Sequence, residues 1–191
     1  MKLKEAYAYN DVSLVPAYSE LKSRSEANPE MHGYSLPIIA SCMDTLGKEI
    51  LSECVKYKLP FICHRSFKSA KEQFEYFMGN PATYYHNYDK CIWFAVGSVQ
   101  KYQDWIEYLY ERGVRRFCVD MAHGDSKACV DTIEFIKNYD IEKKEEAATN
   151  GHYMTSLGGA DIPVHVIAGN VASLSGFIAI IVFAERILEL L

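Results

Sequence analysis

Residues 91–124 read CIWFAVGSVQKYQDWIEYLYERGVRRFCVDMAHG. CIWFAVG (91–97) is a continuous apolar run of strand length, bounded by a Gly. VQKYQDWIEYLYERG (99–113) places Trp105, Ile106 and Leu109 on one helical face and closes at Gly113. VRRFCVDMAHG (114–124) returns to a strand that runs into a loop. A strand, an amphipathic helix and a second apolar strand within 34 residues form a βα unit followed by the next strand of a parallel sheet.

The same rhythm extends in both directions. Upstream, LPIIAS (36–41) predicts a strand, GKEILSECVKYK (47–58) a helix, and PFICHR (60–65) a strand. SAKEQFEYFMG (69–79) predicts a helix, with Ser69 as N-cap, Gln73 near the capping-box position and Gly79 as the stop. Downstream, SKACVDTIEFIKNYDIEKK (126–144) predicts a helix, IPVHVIAGN (162–170) a fifth strand, and 175–191 a fifth helix. The segment between, EKKEEAATNGHYMTSLGGAD (142–161), is charged and then Gly-rich. It has no apolar period and reads as a loop. Five βα units in series predict an α/β fold with a parallel sheet covered on both faces. Ligands of such folds sit at the C-terminal ends of the strands.

Composition narrows the classes. Apolar residues make up 49% of the chain and charged residues 24%, a globular balance. The net charge is -5 and no basic run of five occurs, so nucleic acid and polybasic membrane contact are not expected. The 6 cysteines, Cys42, Cys54, Cys63, Cys91, Cys118 and Cys129, form no C-x-x-C pair. They predict reduced, mostly buried thiols and no zinc site. The start MKLKEAYAYNDV lacks an apolar signal core, and the longest apolar run, Phe177 to Ala184, is short for a bilayer span. A cytoplasmic protein is expected.

The strand ends carry SCMDT (41–45), CHRSF (63–67), VGSVQ (96–100), DMAHGDS (120–126) and AGNVAS (168–173). Small residues, hydroxyls, Asp, Asn, His and Arg at such positions suit a polar planar ligand bearing a sugar, since a strand-end Asp can accept two ribose hydroxyls. Plainer roles stand beside these: Asp44 as a helix cap, and His64 and His123 as structural residues.

Several of these segments resemble the IMP dehydrogenase/GMP reductase family of (β/α)8 barrels. YNDVSLVPAYSELKSRSE (9–26), LPIIASCMDTLG (36–47), VDMAHGDS (119–126) and VIAGNVAS (166–173) match family motifs in the family's order. The resemblance implies a partial TIM barrel, with an N-terminal segment over 1–35, βα units over 36–173 and a divergent helix over 174–191. It implies that Ser41 and Met43 contact a purine nucleotide. Asp120, with Met121 and Ala122, would hold the ribose of NADP or NAD, and Gly169 and Asn170 would floor the nicotinamide pocket. Ser23 and Arg24 match a pair that reaches the cofactor of a neighbouring subunit, which implies a homo-oligomer or a complementing chain. Arg65 stands where reductases carry a lysine. It keeps the cation but cannot exchange a proton.

Only about a dozen residues separate helix 69–79 from the next strand, which leaves no room for the paired regulatory domains of IMP dehydrogenases. LKSRSE and MDTLG resemble the reductase branch, whereas CHR resembles the dehydrogenase. The family's G-x-G-x-G-S-x-C-T-T-R loop, with its nucleophilic cysteine and monovalent-cation site, has no match here, and neither do its phosphate loops. No catalytic residue and no metal ligand are therefore assigned. Three readings stay open: a GMP reductase-like or IMP dehydrogenase-like oxidoreductase completed by another chain, a non-catalytic cofactor-binding or oligomerisation module, and an inert truncated product. The tail FIAIIVFA (177–184) is apolar on every helical face and predicts self-association or folding across an open barrel. Residual ligand affinity is expected to favour the cofactor over the purine monophosphate.

Overall fold

In a computed structural model the described residues are 23, 33–36, 38–79, 91–150 and 163–168. They form, in chain order, α1 (Lys48–Lys56), β1 (Phe61–Cys63), α2 (Ala70–Met78), β2 (Ile92–Val96), α3 (Val99–Glu111), β3 (Arg116–Val119), α4 (Lys127–Asn150) and β4 (His165–Ala168). The strands lie in sequence order β1-β2-β3-β4, all parallel. The alternation read from the sequence is thus the architecture.

Side-chain alternation divides the sheet into two faces. Phe61, Cys63, Phe94, Val96, Phe117 and Val119 pack against Phe74, Ile106, Leu109 and Ile136 of the helices. On the other face, Ile62, Trp93, Ala95 and Cys118 form a second buried cluster, with Cys42 and Ile167 against it. Every residue of β2 is buried, as expected for a central parallel strand.

Local chemistry sets the helix ends. The Ser69 hydroxyl accepts from the Glu72 amide (3.2 Å), and the Glu72 carboxylate accepts from the Lys68 amide (2.9 Å). The capping partner is therefore Glu72, and Gln73 is freed for the interior. α3 ends in a Schellman arrangement: Gly113 N–H donates to the Tyr110 carbonyl (2.9 Å) and Val114 N–H to that of Leu109 (3.1 Å), with Gly113 at φ 87°. α1 ends in the same way, but its left-handed position is Lys58 at φ 54°. The start of α3 lacks a cap from Ser98. Instead Thr132 of α4 accepts from the Val99 amide (2.8 Å).

Two expectations are corrected. The strand predicted over 36–41 is reduced to a single parallel bridge, Ala40 to Phe61, held by Ala40 N–H to the Pro60 carbonyl (2.9 Å) and Ile62 N–H to the Ala40 carbonyl (3.0 Å). Pro37 offers no donor, and Leu36, Ile38 and Ile39 stay exposed, so little burial rewards a longer strand. The loop predicted from 142 is helical as far as Asn150, because α4 spans 24 residues. Lys, Glu and Ala are strong helix formers without an apolar stripe, and Lys144–Asp140 (2.9 Å) and Lys143–Glu146 (2.9 Å) pair along the helix. The N-terminal segment apart from Ser23 and 33–35, the whole of 151–161, and the helix predicted over 175–191 lie outside the described residues. Among the described residues, no helix is long and apolar enough to cross a membrane.

Candidate functional site

The C-terminal ends of β1 and β3 are joined over the end of β2. β1 stops at Cys63, and two residues on, Arg65 extends across its neighbour. Its Nε donates to Asp120 Oδ2 (3.2 Å), its Nη2 to the Asp120 backbone carbonyl (3.2 Å) and its Nη1 to the Tyr102 hydroxyl (2.9 Å). The guanidinium also lies 5.4 Å from the centre of the Tyr102 ring. Burial works against the charge on Arg65, but Tyr102 and Asp120 outweigh it and hold the group more firmly protonated than usual. Asp120 N–H donates to the Val96 carbonyl (2.9 Å), which fixes the acid one residue beyond its strand.

Gly97 makes this crossing possible. A Cβ on Gly97 would meet the Tyr102 ring at 2.6 Å, so a side chain here would push Tyr102, and with it Arg65, out of place. The small residue at the end of β2 provides space for that ring.

Beneath the crossing lies Gln73 of α2, which is fully buried. Its amide nitrogen donates to the carbonyls of His64 (2.9 Å), Ala95 (3.1 Å) and Cys63 (3.3 Å). Its oxygen accepts from the Trp105 indole (2.7 Å). One side chain therefore ties the ends of β1 and β2 to α2 and α3 and sets the backbone from which Arg65 departs. His64 is part of this support. Its ring stacks on Phe67 (4.8 Å), meets Phe77 edge-on (5.2 Å), and accepts from the Ser66 amide (3.3 Å). Burial holds its pKa below the usual histidine value, against an opposing pull from Asp44. The structural reading of His64 is the one observed. Asp44 does not cap α1, whose N-cap is Gly47, without a side-chain bond.

The loop after the Ala40 bridge completes the mouth. Met43 N–H donates to the Ser41 carbonyl (2.9 Å), a three-residue turn centred on Cys42. The turn places the Cys42 thiol against Cys118 and beside Asp120. A hydrogen bond from Cys118 lowers the Cys42 pKa to about 7, although burial and the Asp120 charge oppose it. The Cys118 thiol is pushed up, first by that hydrogen bond and then by burial.

Of the residues singled out from sequence, Arg65 and Asp120 are in direct contact, and the loop bearing Ser41 and Met43 meets Asp120 through Cys42. Ser41, Met43, Ala122 and Ser23 are exposed. Met121 packs against the helix-side core. Arg24, Gly169 and Asn170 lie outside the described residues. Tyr102, Gly97, Gln73 and the Cys42–Cys118 contact were not found from sequence. A polar residue at a core-facing helix position was the one available signal, for Gln73. Among the described residues, no group of three or more His, Cys, Asp or Glu side chains is placed to hold a metal ion.

A family model described as IMP dehydrogenase / GMP reductase domain matches residues 6–187. The GMP reductase of Streptococcus gordonii is 27% identical over 138 residues, covering 70% of this chain and 40% of that protein. The GMP reductase of Lactobacillus johnsonii is 26% identical over 142 residues, with coverage of 70% and 40%. Among solved structures, inosine 5′-monophosphate dehydrogenase from Legionella pneumophila superposes with a TM-score of 0.53 at 24% identity, covering 87% of this chain and 45% of that chain. That superposition establishes the fold: the parallel sheet is a segment of a (β/α)8 barrel. The chain spans 40% of the length of these two reductases.

Proposed function

This chain belongs to the IMP dehydrogenase / GMP reductase family, and from that premise we propose that it carries the nicotinamide-cofactor side of a purine-nucleotide oxidoreductase site. Both reductases just described support the reductase direction, in which NADPH reduces GMP to IMP. The observation that carries the reading is the crossing of Arg65 onto Asp120. A strand-end carboxylate with one oxygen held by a fixed cation keeps its other oxygen for a ribose diol. Asp120 is part-exposed, so a sugar can reach it. The residues present therefore fit the cofactor's ribose.

In this proposal Asp120 accepts the ribose hydroxyls, and Arg65 orients the carboxylate and offsets its charge. Arg65 is a positioning residue because a guanidinium does not release its proton at neutral pH. Ala122 and the backbone at Met121 border the cofactor, and Gly169 and Asn170 floor its nicotinamide ring. Ser41 and Met43 face the purine nucleotide from the opposite loop. Ser23 and Arg24 reach the cofactor of a neighbouring subunit, which makes the working form a homo-oligomer or a complex with a complementing chain in the cytoplasm. The bound cofactor supplies the hydride. None of the six cysteines stands in the family's nucleophile motif, so no residue of this chain is assigned the attack on the purine.

Titration calorimetry with NADPH, GMP and IMP tests the reading. NADPH is expected to bind, with at least a ten-fold loss in Asp120→Ala, about 1.4 kcal/mol, and a smaller loss in Arg65→Lys. Tight binding of GMP or IMP without cofactor, or NADPH binding indifferent to Asp120, would overturn it. Absorbance at 340 nm with GMP plus NADPH, and with IMP plus NAD, separates the reductase from the dehydrogenase alternative. No turnover, with NADPH binding retained, marks the non-catalytic module.

A further inference from the structure

Two thiols from distant parts of the sequence meet at the mouth of the barrel segment. Cys118 lies on β3, aligned with Ala95 of β2, on the face turned away from the helices. It is almost wholly buried. Cys42 lies on the turn after the Ala40 bridge, is half-buried, and packs onto the same cluster. Each thiol is the other's leading electrostatic neighbour, and the Asp120 carboxylate lies beside both. The other four cysteines are buried, Cys54 and Cys91 near each other among them, and none has a half-exposed partner.

We propose that Cys42 and Cys118 form a peroxide-sensitive dithiol, in which Cys42 is the attacking thiol and Cys118 the resolving one. The Cys42 thiolate attacks the distal oxygen of a hydroperoxide. The O–O bond breaks, the alcohol or water leaves with a proton, and Cys42 becomes a sulfenic acid. The Cys118 sulfur then attacks the Cys42 sulfur, its proton passing to the departing hydroxyl, so that the S–O bond breaks as the S–S bond forms and water leaves. The two thiols lose two electrons and the peroxide gains them. The roles follow from position: Cys42 is reachable and Cys118 is not. Asp120 lies within reach of the Cys42 proton. Thiolate character and access together select the first cysteine to oxidise. A disulfide needs its Cα atoms within about 7 Å. Cys42 belongs to a turn and not to the ladder, so closure moves loop backbone and leaves the sheet intact. The cross-link would pin the 41–45 loop to β3. This chemistry does not depend on the family's reaction.

The test uses the full reduced chain, treated with hydrogen peroxide and digested with trypsin without reductant. The expected product joins peptide 25–48 to peptide 117–127 with the loss of two hydrogens. In Cys118→Ser, Cys42 is expected to accumulate as a sulfenic acid that dimedone traps. In Cys42→Ser, oxidation of Cys118 is expected to slow at least ten-fold. Alkylation of the native chain with iodoacetamide gives a second measurement that needs no variant. Cys42 is expected to label first, with a midpoint near pH 7. A cross-link between other cysteines, Cys54 or Cys91 oxidising as fast as Cys42, or a Cys42 midpoint at or above about 8.5, the free-thiol value, would overturn the proposal.

Discussion

Replacing Gln73 tests whether the ends of β1 and β2 are held by one buried amide. Gln73→Ala removes the only partner shown for the Trp105 indole N–H and one partner from each of three carbonyls. An orphaned donor costs about 1–3 kcal/mol, with the low end appropriate here because the indole is only half-buried. The carbonyls have second lone pairs and cost less. The one side-chain methylene lost from the core adds roughly 0.8 kcal/mol. The sum is about 2–4 kcal/mol, a large part of the ~5–15 kcal/mol that holds an ordinary domain together. Gln73→Leu keeps the volume and removes only the polar contacts, so it is expected to cost about 1–3 kcal/mol. Urea unfolding followed by circular dichroism measures both. At a slope of about 2 kcal/mol per molar, the alanine midpoint falls by roughly 1–2 M. A loss under about 1 kcal/mol in Gln73→Ala, at unchanged slope, would refute the reasoning. It would mean that water, or a rotation of Trp105, satisfies these groups as well as Gln73 does.

Lys58→Gly is expected to stabilise the chain by about 0.5–1 kcal/mol, because Lys58 holds the left-handed position that closes α1 and glycine occupies it without a Cβ clash; an unchanged or lower urea midpoint contradicts this. Acid should weaken the fold before the carboxylates titrate. Burial holds His64 below the usual histidine value; His165 is exposed by surface area, and there partial desolvation acts in the same direction together with the Arg116 and Lys137 charges. The unfolded chain gains these protons near pH 6.5 and the folded chain only lower, so their contribution is whole above about 6.5 and eroded as pH falls below it. Urea midpoints at about pH 7.5 and about pH 5.5 should differ, and His64→Gln should reduce the difference; equal midpoints in the unmodified chain would count against the buried-neutral assignment.

The βα rhythm was legible because strand and helix periods differ and because the central strands are apolar on both faces. Ile92–Val96 shows this most plainly. The strand predicted over 36–41 had the same composition but lacked burial, which depends on neighbours that a local reading does not see. The stretch 142–150 was misread for the converse reason. Without an apolar stripe it carried no periodic signal, yet its residues favour a helix and pair along it. At the site, Asp120 and Arg65 were legible through position and resemblance. Their contact spans 55 residues, and Tyr102 reaches Arg65 across 37, so no spacing rule could join them. Gly97 was one small residue in a strand-end segment, and its use, to leave room for the Tyr102 ring, depends on a contact that the local sequence does not show. Cys42 looked like an ordinary apolar thiol until a turn redirected it.

The two tryptophans of the chain lie on opposite faces of the sheet. Trp93 is buried in the cluster away from the helices, where its indole N–H donates to the Tyr34 hydroxyl (3.3 Å), whereas Trp105 is half-buried in the helix layer against Gln73. Indole emission depends on its immediate polar surroundings, so the chain carries two optical reporters, one for each layer. With either indole replaced by phenylalanine, the remaining one follows the inner face or the helical coat by itself. Loosening of the barrel mouth then becomes distinguishable, in a single cuvette, from loss of the packing that supports it.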